Sequence, residues 1–202
     1  MPFDPESLKH DLDWLPRNHR VAFAAACCER LLPNYAAFAR EVQWGEPSVL
    51  RDALEYVWSV LADGHFDRTE IEGLMERCDA VIPDSEDFDT SSVSAALDAG
   101  TAVVGTLRSL LEGDTQQIVE VASYCRDTVH MYIQDRDDLD YQDPLFDMKI
   151  EQDPLMRREL ARQSSTLSEL ANNPVLDGVF LKRLRDESAD GGRSNMAEQR
   201  GR

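Results

Sequence analysis

The chain has 202 residues, a mass of 22.8 kDa and a 42% hydrophobic share, which suits one domain of ordinary size with a core of its own. Its 39 acids outnumber its 21 bases, giving a formal net charge of −18 and a pI near 4.5. That balance argues against a nucleic-acid backbone or an anionic membrane as the main partner.

Helix starts are legible along the chain. Phe3-Asp4-Pro5 reads as staple, N-cap and first-turn proline of a helix near 4–14, with Leu8 placed to meet Phe3. Helices are expected near 17–32 and 34–43, divided or kinked by Pro33, because a proline inside a helix loses a hydrogen bond. Leu50, Ala53, Leu54, Val57 and Leu61 mark a helix near 47–62. At 67–81, Asp67 caps, Glu70 closes a capping box, and Phe66 staples to Ile71. Phe88-Asp89, with Val93, repeats the staple-and-cap logic before a helix near 90–112, whose faces are apolar on most sides. Gly113 ends that helix, and Asp114 with Gln117 opens the next, near 114–138. Residues 139–153, rich in aspartate around Pro144, are expected to be a loop. Asp153-Pro154 and Asn173-Pro174 start helices near 154–172 and 174–187. No stretch alternates with period two. The expectation is therefore an all-α, single compact domain of seven to nine helices over residues 1–190, with a loose tail at 191–202.

No segment approaches the roughly 18 uncharged apolar residues of a membrane span. Met1-Pro2-Phe3-Asp4 lacks the basic-then-apolar pattern of a leader, and a cytoplasmic location is expected. Cys27, Cys28, Cys78 and Cys125 show no CxxC spacing and read as reduced thiols, with at least one of the adjacent pair buried among the alanines around it. Only three bases are lysines, so the acidic surface reads equally as adaptation to salt or as a binding face. Charge is uneven: residues 1–153 hold 32 acids and 12 bases, residues 154–202 seven acids and nine bases. The C-terminal quarter is therefore able to pack back onto an acidic body.

Chemistry-bearing motifs are sparse. Glu70, Glu72, Glu76 and Asp79 crowd one helix, and Glu76-Arg77-Cys78-Asp79 matches one half of the paired acidic elements with which some all-helical hydrolases hold magnesium. No matching half precedes it. Asp98 stands on the most apolar helix and would need partners or a shifted pKa if buried. Asp127 and His130 lie three apart but lack the ExxH pairs of a di-metal bundle. No calcium loop, phosphate loop or nucleophile elbow is present. No cofactor is expected, and the balance leans away from an enzyme. The segment Asp84, Glu86, Asp87, Phe88 and Asp89 has two readings: a staple and cap for the following helix, or a phenylalanine anchor among acids that docks a basic protein partner.

Five stretches read together carry a resemblance: Cys28-Glu29-Arg30-Leu31-Leu32-Pro33-Asn34-Tyr35, the run from Ala80 through Pro83 to Asp87-Phe88-Asp89, Ala96-Leu97-Asp98-Ala99, Val119-Glu120-Val121 and Ser194-Asn195. With them the chain resembles the YjaG-like bacterial family, a domain of unknown function, over nearly its whole length. The C-terminal third matches loosely. The resemblance implies an all-helical cytoplasmic protein, a gene-neighbourhood link to signalling, and a place for Ser194-Asn195 within the domain. It assigns no catalytic residue. The leading expectation is a non-enzymatic interaction or regulatory protein with a protein partner, its oligomeric state open. The alternative is a divalent-metal-dependent all-α hydrolase using Glu70, Glu72, Glu76, Asp79 or Asp98.

Overall fold

Local capping chemistry places the first helix, α1 (Pro5–Asp13): the Asp4 carboxylate accepts from the amides of Glu6 and Ser7, and Phe3 and Leu8 pack on the core beneath it. The computed structural model describes residues 3–197. The expected absence of a leader at Met1-Pro2 and the last five residues of the expected tail lie outside that range. After α1 come α2 (Arg17–Val42), α3 (Pro47–Asp63), α4 (Arg68–Asp79), α5 (Ser92–Glu112), α6 (Thr115–Arg136), α7 (Phe146–Gln152), α8 (Pro154–Asn172), α9 (Gly178–Ala189) and a short 3-10 turn, Asp190–Gly192. Among the described residues there is no strand, and the fold is all-α as expected.

The centre is α2. Every residue from Val21 to Leu32 is buried, because small side chains (Ala22, Ala24, Ala25 and Ala26) let neighbouring helices approach closely. Its closest packing partner is α5, itself rich in alanine and glycine; α3, α6, α8 and α9 complete the shell. Gly100 of α5 shows how tight the approach is: a Cβ there would lie 2.5 Å from Ile82 Cγ1. All four cysteines are free and buried, which places both Cys27 and Cys28 in the core. A second, smaller apolar cluster of Val129, Ile133, Ile150, Leu155 and Met156 joins α6, α7 and α8.

Several expectations are corrected. Pro33 does not divide α2, which runs from Arg17 to Val42 with the proline inside; burial against five helices outweighs the one lost hydrogen bond. The 139–153 segment is not all loop, because α7 forms there to bury Ile150 beneath Leu155 and Met156. Asp89 does not cap α5. That helix begins at Ser92, whose amide is met by the Thr90 hydroxyl at 3.4 Å. Asn173-Pro174 does not start α9, which opens at Gly178 with Asp177 accepting from the Phe180 amide at 2.8 Å. The boxes at Asp67 and Asp114 form only their forward halves: Tyr56 Oη, not Glu70, takes the Asp67 amide, and Gln117 turns to Glu120. Residues 193–197, expected in a loose tail, lie against the body, with Asn195 buried.

Candidate functional site

Residues 21–32 are apolar except for two adjacent charges, Glu29 and Arg30. Neighbours on a helix point about 100° apart, so the two side chains leave α2 toward different partners. Both are buried; Glu29 is 2% exposed and Arg30 is 1% exposed.

Arg30 turns inward to Glu159 of α8. Its Nε donates to both carboxylate oxygens at 3.1 and 3.2 Å, and its Nη2 donates to Oε1 at 2.8 Å. Nη1 is taken by the Ala26 carbonyl at 2.9 Å, and Nη2 also reaches Cys27 Sγ at 3.3 Å. Gln163 completes the carboxylate, donating to Glu159 Oε1 and to the Ala122 carbonyl. Burial opposes both charges, but each sustains the other: the Arg30 guanidinium stays protonated far above its ordinary range, and Glu159 is held below the usual carboxylate range. Hydrogen bonding from Cys125 and the nearby guanidinium lower the Cys27 thiol against its burial, whereas burial raises Cys125.

Glu29 turns the other way, to the floor of a cleft of about 490 Å3 between α2, α3 and α9. Its Oε1 accepts from Arg51 at 3.0 Å, Trp58 Nε1 at 2.9 Å and Arg185 Nε at 3.1 Å; its Oε2 accepts from Arg51 at 2.8 Å. Arg185 also forks onto Glu55 of α3. Leu181, Lys182 and Asp186 of α9 form the opposite wall. The carboxylate thus accepts four hydrogen bonds, three of them on Oε1, while both arginines border solvent-facing space. A carboxylate bonded in this way holds the two arginines and the indole in fixed positions.

Pro33 lies between these two environments and the C-terminal segment. Lacking an N–H, it cannot bond the Glu29 carbonyl. One residue on, the Arg30 carbonyl accepts the Asn195 amide at 3.2 Å. Asn34 Nδ2 donates to Asn195 Oδ1 at 3.0 Å, and Asn195 Nδ2 donates to the Cys125 carbonyl at 3.0 Å. Arg158 holds the Asn195 carbonyl and Arg162 holds Asp190. Tyr35 donates to the Val81 carbonyl at 2.6 Å and accepts the Glu46 amide at 3.3 Å, against Gly45, where a Cβ would lie 2.5 Å from the phenol oxygen.

The residues singled out from sequence lie elsewhere. Glu70, Glu72, Glu76 and Asp79 are exposed on α4; Glu72 pairs with Arg68 and Glu70 lies 3.9 Å from Arg77. Asp98 is half-buried on α5, where burial raises its pKa to about 6 against the Thr128 hydroxyl that donates to it at 2.7 Å, and the nearby Asp127 raises it further. Asp127 itself pairs with Arg126, and the His130 ring lies tilted against Phe146 at 5.6 Å. Among the described residues no group of three or more His, Cys, Asp or Glu is placed to hold a metal ion. In the 84–89 segment the four acids are exposed. Phe88 is half-buried, with its ring 5.1 Å from those of Phe38 and Trp44. Sequence reasoning missed Glu29, Arg30, Arg51, Trp58, Glu159 and Arg185. The available signal was two charges inside an otherwise apolar helical run.

A family model described as "Protein of unknown function (DUF416)" matches residues 7–197. The uncharacterised protein YjaG of Escherichia coli is 28% identical over 186 residues, covering 92% of each chain. An uncharacterised protein of Haemophilus influenzae is 25% identical over 87% of this chain and 88% of its own. The crystal structure of a DUF416 family protein from Shewanella baltica superposes with a TM-score of 0.85 at 30% identity, covering 94% of this chain and 96% of that one. No helix among the described residues is long and apolar enough to cross a membrane.

Proposed function

The chain belongs to the DUF416 family, and within it we propose a non-catalytic binding protein of regulatory type that recognises a protein partner through the cleft between α2, α3 and α9. The observation that carries this reading is the bonding of Glu29. The one buried carboxylate at the floor of that cleft accepts four hydrogen bonds, so it orients Arg51, Trp58 and Arg185. Two arginines fixed by a buried acid, beside the Trp58 indole, make a pre-ordered recognition surface with little side-chain entropy left to lose on binding. The signalling link implied by the family resemblance belongs to this proposal. The hydrolase alternative finds less support, because its carboxylates are scattered over α4 and α5 and several are already paired.

Quantitative affinity capture from the native host tests the reading, with wild type beside an Arg51→Glu/Arg185→Glu double variant and a Glu76→Ala control. A partner retained by wild type and by the control, and lost by the double variant, is the expected result. Stoichiometric micromolar magnesium or manganese binding by calorimetry, abolished by Asp98→Ala with Glu76→Ala, would overturn it in favour of the hydrolase.

A further inference from the structure

A small cavity of about 190 Å3 opens between α5, α6 and the end of α4. From α5 it takes Thr101, Val104, Gly105 and Arg108; from α6 it takes Gln117, Glu120, Val121 and Tyr124. Each set follows the i, i+3, i+4, i+7 spacing of one helix face, so both helices turn a half-polar stripe into the same space. Asp79 and Ile82 close it from the α4 side.

The opposite charges share this space without meeting. Arg108 is half-buried, yet among the described residues it makes no hydrogen bond and no ion pair, whether with Glu120 across the cavity or with Glu112 one turn on along α5. Glu120 is half-buried as well, and its side chain takes one bond, from Gln117 Nε2 at 2.9 Å. Asp79, the third charged residue, is exposed, so solvent screens it. Burial raises the Tyr124 phenol above its ordinary range; the Glu120, Asp98 and Asp127 carboxylates add to the rise and Arg108 opposes it, so Tyr124 stays a neutral hydroxyl. The half-buried charges facing the cavity are therefore one of each sign.

Gly105 gives an independent indication. At Gly100 a Cβ would lie 2.5 Å from Ile82 Cγ1, so packing demands glycine there. At Gly105 it would lie 3.4 Å from Val121 Cγ2 and 3.7 Å from Gln117 Oε1, which are ordinary contacts. A glycine inside a helix is less favourable than alanine, and the neighbouring helix does not require this one. Its effect is to leave the cavity wall open beside Val121 and Gln117.

We propose that this cavity binds a free α-amino acid with a short aliphatic side chain: the α-carboxylate on Arg108, the α-ammonium on Glu120, and the side chain on Ile82, Val104 and Val121. A zwitterion supplies both of the countercharges that Arg108 and Glu120 lack, which a simple anion or a simple cation does not. The cavity shares no residue with the Glu29 cleft, so the inference is independent of the partner recognition above.

Calorimetry and thermal melts with L-alanine, L-valine and L-leucine test the site. N-acetyl-L-valine, which lacks the ammonium, and L-valinamide, which lacks the carboxylate, are the controls. Three variants probe the cavity: Arg108→Gln and Glu120→Gln remove one charge each, and Gly105→Ala narrows the wall. Saturable binding of at least one of the three amino acids is expected, weakened by about tenfold or more in each variant and for both blocked valines. Unliganded melts of Arg108→Gln and Gly105→Ala should lie no lower than wild type, so their loss of binding reports the site and not the fold. Binding by none of the three amino acids overturns the proposal. So does a blocked valine that binds as tightly as L-valine, or an affinity unchanged in both Arg108→Gln and Gly105→Ala.

Discussion

Glu29 and Arg30 are consecutive residues of one helix, both buried and both charged, yet their surroundings differ. Arg30 meets a single opposite charge, Glu159, in a sealed space closed by Gln163, Cys27 and the Ala26 carbonyl. Glu29 meets two arginines and an indole at the floor of an open cleft. An inward pair gives up solvation on both members and regains it only through its own geometry; an edge cluster keeps its arginines partly hydrated. The first arrangement fixes how α2 and α8 sit together. The second presents charge outward.

Breaking the sealed pair should produce the largest effect. Arg30→Ala or Glu159→Ala leaves an uncompensated buried charge and is expected to cost about 3–5 kcal/mol. Replacing both together, as Arg30→Met with Glu159→Leu, removes the charge problem and should recover most of that loss in denaturant unfolding. If the double variant is no more stable than either single one, the network around Cys27 and Gln163 matters more than the pair.

At the edge cluster the effect should be smaller. Glu29→Gln keeps a carbonyl acceptor for Trp58 and leaves Glu55 to hold Arg185, so a loss of about 1–3 kcal/mol is expected for the charged hydrogen bonds removed. A loss as large as that of Arg30→Ala would mean that the cleft floor is as sealed as the core.

This contrast was only half legible in the sequence. Caps at Asp4, Asp67, Asp114 and Asp153 could be read because a cap is made with amides two or three residues away. Arg30 and Glu159 lie 129 positions apart, and nothing local to either announces the other. The expected division at Pro33 failed for a related reason: propensity describes an isolated helix, whereas α2 is kept continuous by the helices around it. The Asn34–Asn195 clasp could be anticipated only through the family resemblance, which placed Ser194-Asn195 within the domain. The all-α class, by contrast, followed from apolar spacing, and most helix starts from these local caps.

Asp98 sharpens the comparison as a half-buried acid with no cation against it, and its pH dependence should run opposite to that of Glu159. Glu159 is held below the usual carboxylate range, so its stabilisation is present above its unfolded pKa and is lost as pH falls through the lower folded value. Asp98 is raised from 3.8 to about 6, so its contribution is present below about pH 4 and is lost as pH rises through 6. Asp98→Asn keeps an acceptor for Thr128 and removes the buried charge. It should raise stability at pH 7 by about 1–2 kcal/mol and leave stability at pH 4 nearly unchanged. A stabilisation equal at both pH values would show that the gain is not electrostatic.

The smallest effects are expected in the exposed acidic segment between α4 and α5, where Asp84 takes only the local Glu86 amide. There the ring and the charges separate. Phe88 packs edge-on against Phe38 and at a tilt against Trp44, each at 5.1 Å, so Phe88→Ala should cost about 1–2 kcal/mol through lost apolar contact, as a half-buried version of a core truncation. Asp89 is exposed, makes no side-chain hydrogen bond or ion pair among the described residues, and lies three positions before the first residue of α5. Asp89→Ala should therefore change stability by less than about 0.5 kcal/mol. Asp67→Ala is the matched control, because that carboxylate accepts from the Thr69 amide at 2.8 Å and its loss should cost about 1 kcal/mol. If thermal melts give Asp89→Ala a loss equal to that of Asp67→Ala, the helix starts earlier than Ser92 in solution and the carboxylate caps it after all. If Asp89→Ala is silent while Phe88→Ala melts early, the aromatic contact with α2 anchors this segment and its acids are free to remain a solvated face.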